Sequence, residues 1–90
     1  MEKSLRFKHG DLTKEIIGSF YDVYNALGYG FLEKVYENAL RIVLSEKGLA
    51  VEQQKPIHVY FQGQIIGEYF ADLVVNNCVI LELKAAKSLD

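Results

Sequence analysis

Two stretches place charge inside what otherwise reads as buried β-strand: Ala71-Asp72-Leu73-Val74-Val75 and Cys78-Val79-Ile80-Leu81-Glu82-Leu83-Lys84, separated by Asn76-Asn77. Apolar runs around an Asn-Asn pair spell a hairpin, and its register matters because a slip of one residue flips every side chain to the other face. A two-residue turn pairs Val75 with Cys78 and sets Asp72 opposite Leu81, on the face away from Glu82. A three-residue turn through Asn76, Asn77 and Cys78, or a bulge of the same parity, pairs Val75 with Val79 and Asp72 with Glu82. The second register gathers Ala71, Leu73, Val75, Val79, Leu81 and Leu83 on one apolar face and leaves Asp72, Glu82 and Lys84 together on the other. The hydrophobic pattern selects it. Two carboxylates and an amine side by side are what a divalent cation and an attacking water need for phosphodiester hydrolysis, so the pattern suggests a chemistry without naming a substrate.

The rest of the chain bounds that reading. Ninety residues, half of them hydrophobic and 24% charged, predict one folded domain over 1–90 with a modest core. No apolar run approaches the ~20 residues of a bilayer span, and Met1-Glu2-Lys3-Ser4 is not followed by a signal-peptide hydrophobic region. The expectation is a soluble cytoplasmic protein with no membrane partner. Cys78 has no second cysteine to pair with, and His9 and His58 lie far apart, which argues against a disulfide or zinc site. Cys78 reads as a small strand residue. A net charge of −2 and a pI of about 5.6 argue against a protein that coats nucleic acid non-specifically, though not against an enzyme whose cations act locally. Lys3, Arg6, Lys8 and His9 form a basic segment within a flexible arm over 1–11, and Lys84 and Lys87 a second cluster; both read first as solvated termini.

The order of elements is helices, then strands. Ile16, Ile17, Phe20, Val23, Tyr24 and Leu27 recur at helical spacing, with Asp11 or Thr13 as N-cap and Gly28 as stop, which predicts a helix from Thr13 to Leu27. After Gly28-Tyr29-Gly30, the residues Leu32, Val35, Tyr36, Ala39, Leu40, Val43 and Leu44 line a second helix ending at Lys47-Gly48. Strands follow over Val51 to Phe61, interrupted at Pro56, over Gln64 to Val75 with a bulge at Gly67, and over Cys78 to Lys84. The fold class is α+β, two helices and a three-stranded antiparallel meander. The strand aromatics Tyr60, Phe61, Tyr69 and Phe70 read as core. Glu33, Tyr36 and Glu37 share one helix face. Taken singly, Glu33 offsets the helix dipole, Tyr36 is a core aromatic with its hydroxyl at the surface, and Glu82 and Lys84 keep a sheet edge soluble.

Several motifs in order give the pattern a family. Gly30-Phe31-Leu32-Glu33-Lys34-Val35-Tyr36 carries a G-x-x-E-x-x-Y spacing, followed by Glu37-Asn38-Ala39-Leu40. Leu27-Gly28, Gln54-Lys55-Pro56, Gly67-Glu68-Tyr69, Ala71-Asp72-Leu73-Val74-Val75 and Val79-Ile80-Leu81-Glu82-Leu83-Lys84-Ala85 follow in the same order. From Leu12 onward the chain resembles the GxxExxY protein family, itself similar to the PD-(D/E)XK nuclease superfamily with its restriction-endonuclease-like α/β core. The resemblance implies a metal-dependent nuclease acting on nucleic acid. Asp72 and Glu82, with the Leu83 carbonyl, would be ligands to Mg²⁺ or Mn²⁺, Lys84 would orient or activate the attacking water, and Glu33 would be an accessory helix acid. Gly30 and Tyr36 are the other motif residues. The chain departs from the pattern at Ala71, where the superfamily has proline, and at Tyr24 and Tyr29. Family members continue past the Glu-x-Lys strand into another helix and strand, so the expectation is a C-terminally incomplete core that pairs its exposed sheet or hairpin in a homodimer. The alternative is a nuclease-like module that binds nucleic acid or protein without cleaving, or a scaffold with no activity of its own.

Overall fold

The computed structural model describes the backbone of residues 2–84 and the side chains of residues 10–84. Helix α1 (Glu2–Leu27) and helix α2 (Glu33–Glu46) precede strands β1 (Val51–Phe61), β2 (Gln64–Val75) and β3 (Val79–Leu81). The strands form one antiparallel meander in the order β1-β2-β3, with β2 in the centre. This is the expected α+β arrangement. No helix among the described residues is long and apolar enough to cross a membrane.

Helix α1 starts well before Thr13, so Asp11 and Thr13 lie inside it and do not cap it. The backbone of the segment read as an arm is continuous with the helix from Glu2. No proline interrupts residues 2–13, and one glycine, Gly10, costs a helix only ~1 kcal/mol relative to alanine. The side chains of Lys3, Arg6, Lys8 and His9, together with Lys87 and the expected C-terminal continuation, lie outside the described residues. Both helix ends are where the sequence put them. Gly28, at φ 80°, donates its N–H to the Tyr24 carbonyl at 2.8 Å and closes α1. After α2, Gly48 at φ 85° donates to Ser45 (3.0 Å) and Leu49 donates to Leu44 (3.2 Å), the paired bonds of a Schellman ending.

Gln62 and Gly63, with φ of 50° and 81°, make the two-residue turn between β1 and β2. Val59 pairs with Gly67 but Tyr60 with Ile65, so the bulge residue is Ile66, beside the glycine where the sequence put it. Pro56 does not break β1. It pairs with Phe70 on an edge strand, where a missing donor is tolerated. The β2–β3 register is Leu73↔Leu81, Val74↔Ile80 and Val75↔Val79, the one selected by the hydrophobic pattern. Asn76 and Asn77 supply φ of 52° and 57° in the turn, and the Cys78 N–H closes it on the Val75 carbonyl at 3.1 Å. Asn76 is also clamped to Ala50, donating its N–H to the carbonyl (2.7 Å) and accepting the Ala50 N–H on Oδ1 (2.9 Å). Cys78 is therefore an exposed turn residue, not a strand residue.

The core joins Ile16 and Val23 of α1, Leu40 and Leu44 of α2, and Leu73 and Val75 of β2. Each such aliphatic side chain contributes roughly 1.5–3 kcal/mol by leaving water. Lys47 ties the helices from outside the core, donating to Glu15 Oε2 (2.6 Å) and to the buried Ser19 hydroxyl (2.7 Å). The strand aromatics overturn the sequence expectation: Tyr60, Phe61, Tyr69 and Phe70 are 61%, 60%, 45% and 61% exposed. The reason is length. The 12 residues of β2 extend about 40 Å and the 14 of α2 about 21 Å, so the far end of the hairpin runs past its helical cover.

Candidate active site

Asp72 lies on the central strand between Ala71 and Leu73, both fully buried, and is itself half-buried. One step beyond Leu73↔Leu81 in the same register brings it across from Glu82. The Leu83 N–H donates to Asp72 Oδ2 at 2.8 Å. That bond explains why β3 ends at Leu81 and not at the expected Lys84: a side-chain carboxylate has taken a backbone donor. Exposure still alternates past the strand end, with Leu81 and Leu83 half-buried and Glu82 and Lys84 exposed. Glu82 and Lys84 are thus the solvent-facing residues of this segment.

Asp72 Oδ1 is held from the other edge of β2. Gln54 Nε2 lies 3.3 Å from it. Gln54 has φ 50°, a left-handed conformation inside β1, and the ladder runs from Gln53↔Leu73 to Lys55↔Ala71 without a Gln54↔Asp72 partnership. A non-glycine residue held there costs about 1–3 kcal/mol and persists only where surrounding contacts demand it. Those contacts converge on Glu37 of α2. Its carboxylate accepts from Gln53 Nε2 (2.6 Å), from Gln54 Nε2 (3.3 Å to each oxygen) and from Lys34 Nζ (3.1 Å). Gln53 Nε2 also reaches Asn38 Oδ1 at 2.9 Å. Glu37 is 3% exposed, and no buried side-chain polar atom among the described residues lacks a partner.

The helix motif divides between two places. Glu33 stands exposed in the first turn of α2, where its charge suits the helix dipole. Tyr36 points back to the interhelical loop: its hydroxyl donates to the Gly28 carbonyl at 2.6 Å and accepts the Phe31 N–H at 3.4 Å, and its ring stacks on Tyr24 with centroids 5.8 Å apart. Gly30, at φ 106°, takes a conformation that only glycine adopts readily. These two residues fix how α1 turns into α2 and hence where α2 meets β1.

The structure thus brings Asp72 and the Leu83 N–H together, with Glu82 next in the chain to Leu83, and joins Asp72 through Gln54 to Glu37 and Gln53, to which the sequence assigned no site role. Two signals pointed there. Glu37 falls on the stripe of α2 that carries Leu40 and Leu44, so an acid occupied a core-facing position. Gln54 lies in the matched stretch Gln54-Lys55-Pro56, and counting back from the Gln62-Gly63 turn with one residue allowed for the bulge brings it level with Asp72. The chain matches the family described as PD-(D/E)XK nuclease superfamily over residues 10–90. It belongs to the PD-(D/E)XK nuclease superfamily. No curated protein and no solved structure matches it.

Membership in the PD-(D/E)XK superfamily supports a nuclease-like function and raises the question of a divalent cation. Among the described residues no group of three or more His, Cys, Asp or Glu side chains is assembled for a metal. The donors at the hairpin are two carboxylates and a backbone carbonyl. They suit Mg²⁺ or Mn²⁺, hard cations that use one or two carboxylates and complete their shell with water and substrate oxygens. Each Asp72 oxygen accepts one hydrogen bond and keeps lone-pair capacity, so the donor set fits such an ion.

Proposed function

We propose that this chain is a metal-dependent nuclease that hydrolyses nucleic-acid phosphodiester bonds, with Asp72, Glu82 and Lys84 as its working groups. The observation that supports the reading is the β2–β3 register as far as Leu73↔Leu81 followed by the Leu83 N–H bond to Asp72, which ties the central-strand acid to the Glu82-Leu83-Lys84 segment. Asp72 and Glu82, with the Leu83 carbonyl, would hold Mg²⁺ or Mn²⁺. A cation held there would supply polarisation of the scissile phosphate and a lowered pKa for a bound water. Lys84, exposed and two residues past Glu82, would offer its side-chain nitrogen to the oxygens that gain charge as the water oxygen bonds to phosphorus and the ester oxygen leaves. Glu33 is the accessory helix acid of this reading, and the finer kinship to the GxxExxY family rests on the motif from Gly30 to Tyr36. The setting proposed is cytoplasmic.

A homodimer is part of the proposal. By strand alternation Phe61 and Tyr69 share one face of the hairpin and Tyr60 and Phe70 the other, roughly 200 Å² of exposed aromatic surface on each, taking ~200 Å² per side chain. Exposed Ile65 and Ile66 add to it. One such face supplies about a quarter of the ~800 Å² per partner of a standard interface, so the dimer proposed is a weak one in which these rings are the apolar centre.

The second reading, a nuclease-like module that binds without cleaving, is favoured by one observation: both Asp72 oxygens already serve as hydrogen-bond acceptors within the fold. The test is cleavage of mixed DNA and RNA, single- and double-stranded, with Mg²⁺ and with EDTA. Metal-dependent cleavage that Glu82→Ala and Lys84→Ala abolish, with their circular dichroism unchanged, supports the nuclease. Nucleic-acid binding without cleavage, indifferent to Lys84→Ala, gives the module. Cleavage that survives Glu82→Ala overturns the assignment of the site.

A further inference from the structure

Glu37 is the side chain least explained by the fold. It is an acid 3% exposed on the stripe of α2 that carries Leu40 and Leu44. A buried carboxylate is costly unless donors surround it, and an apolar side chain on the same stripe would fill the space without that penalty. Its donors are Lys34 at 3.1 Å, Gln53 at 2.6 Å and Gln54 at 3.3 Å. The last of these is shared, because the same Gln54 nitrogen lies 3.3 Å from Asp72 Oδ1. Only the NH₂ end of the Gln54 amide suits a position between two carboxylates, since its oxygen would meet lone pairs on both sides. Gln54 reaches it through a left-handed backbone that omits one step of the β1–β2 ladder. A network serving stability alone gains nothing from a strained strand residue at its centre.

We infer that Glu37 and Gln54 are positioning residues for the Asp72 carboxylate: Glu37 orients the Gln54 amide, and the amide, opposite the Leu83 N–H on the other oxygen, fixes the carboxylate plane. The inference rests on reading Asp72 as a working group of the site. It assigns the α2 side of that site to a side chain one turn beyond the motif residue Glu33. Hydrogen bonds behind a ligand are the means by which proteins hold it in a competent orientation, and removing one costs metal affinity without touching the ligand itself.

The test uses the full chain, isotope-labelled, as wild type, Glu37→Leu, Glu37→Gln, Gln54→Leu and the double variant Glu37→Leu/Gln54→Leu. Without metal, the carbon resonance of the Asp72 carboxylate and the exchange of the Gln54 side-chain amide are read. Mn²⁺ is then titrated against broadening of the Asp72 and Leu83 amides. Glu37→Leu is expected to move the Asp72 resonance, to speed exchange of the Gln54 amide and to weaken Mn²⁺ binding about 10- to 100-fold. Gln54→Leu does the same to Asp72 and to Mn²⁺, the double variant is no weaker than the worse single, and Glu37→Gln, which keeps an acceptor, falls between. A folded Glu37→Leu with the wild-type Asp72 resonance and Mn²⁺ affinity overturns the inference, as do losses that multiply in the double variant. If Glu37→Leu does not fold, Glu37→Gln and Gln54→Leu decide by the same readouts. If wild type takes up no Mn²⁺ at Asp72, the cation reading falls, while the metal-free signals still decide whether Glu37 sets Asp72.

Discussion

Asp72 is held by one donor on each oxygen, Gln54 Nε2 on Oδ1 and Leu83 N–H on Oδ2, and these come from opposite edges of the central strand. Truncating it leaves both donors without their acceptor. Asp72→Ala is therefore expected to lose about 1–3 kcal/mol of stability, measured by urea unfolding, which means that its loss of any activity must be scored on folded protein. Tyr36 gives a cleaner case, because its hydroxyl has one strong partner, the Gly28 carbonyl. Tyr36→Phe keeps the ring against Tyr24 and should cost about 1 kcal/mol, seen as a lowered thermal midpoint. At this scale the sequence was legible wherever strict alternation governs. The pairs Leu73↔Leu81 and Val75↔Val79 follow from period two, which ceases to govern past Leu81 where Glu82 and Lys84 lie, whereas Gln54 was illegible because its role depends on a φ of 50° that breaks the period. Glu37 was visible as an acid on an apolar stripe, but what it faced depended on how α2 docks on β1.

At the scale of elements, the helix stops were readable and the first helix start was not. Gly28 and Gly48 stop helices by adopting positive φ, a property few other residues share, while Asp11 and Thr13 are competent caps that a continuing helix overrides. Two glycine substitutions separate these cases. A methyl at Gly18, within α1 and with open space around it, should raise stability by about 0.5–1 kcal/mol by restricting the unfolded chain. A methyl at Gly48 also meets open space, yet φ 85° makes Gly48→Ala cost about 1–2 kcal/mol. Thermal unfolding of the two variants should move in opposite directions, and a shared sign would contradict the end geometry assigned to α2. The strand register was legible because one pairing gathers Leu73, Val75, Val79 and Leu81 on a single apolar face.

The molecule measures 44 × 33 × 28 Å across the described residues, and the β1–β2 hairpin outruns α2, the helix that packs on its base. No local pattern announces how far a helix covers a strand, and for that reason Tyr60, Phe61, Tyr69 and Phe70 were misread as core. Their exposure gives the dimer proposal its test. Sedimentation at tens of micromolar should show a dimer that Phe61→Lys with Phe70→Lys converts to monomer without loss of secondary structure, and a monomeric wild type would sink it. The slightness of β3 has a kinetic consequence. Three paired residues hold that edge strand to the sheet, and just past them the Leu83 N–H meets Asp72. Such an edge opens at a lower free energy than the whole fold, and each opening carries Glu82 and Lys84 away from Asp72 in a single event. On the proposed nuclease reading, the closed fraction of three ladder steps would set a ceiling on how much of the protein is competent at any instant, and hydrogen exchange at the Leu83 amide is a direct clock for that closure.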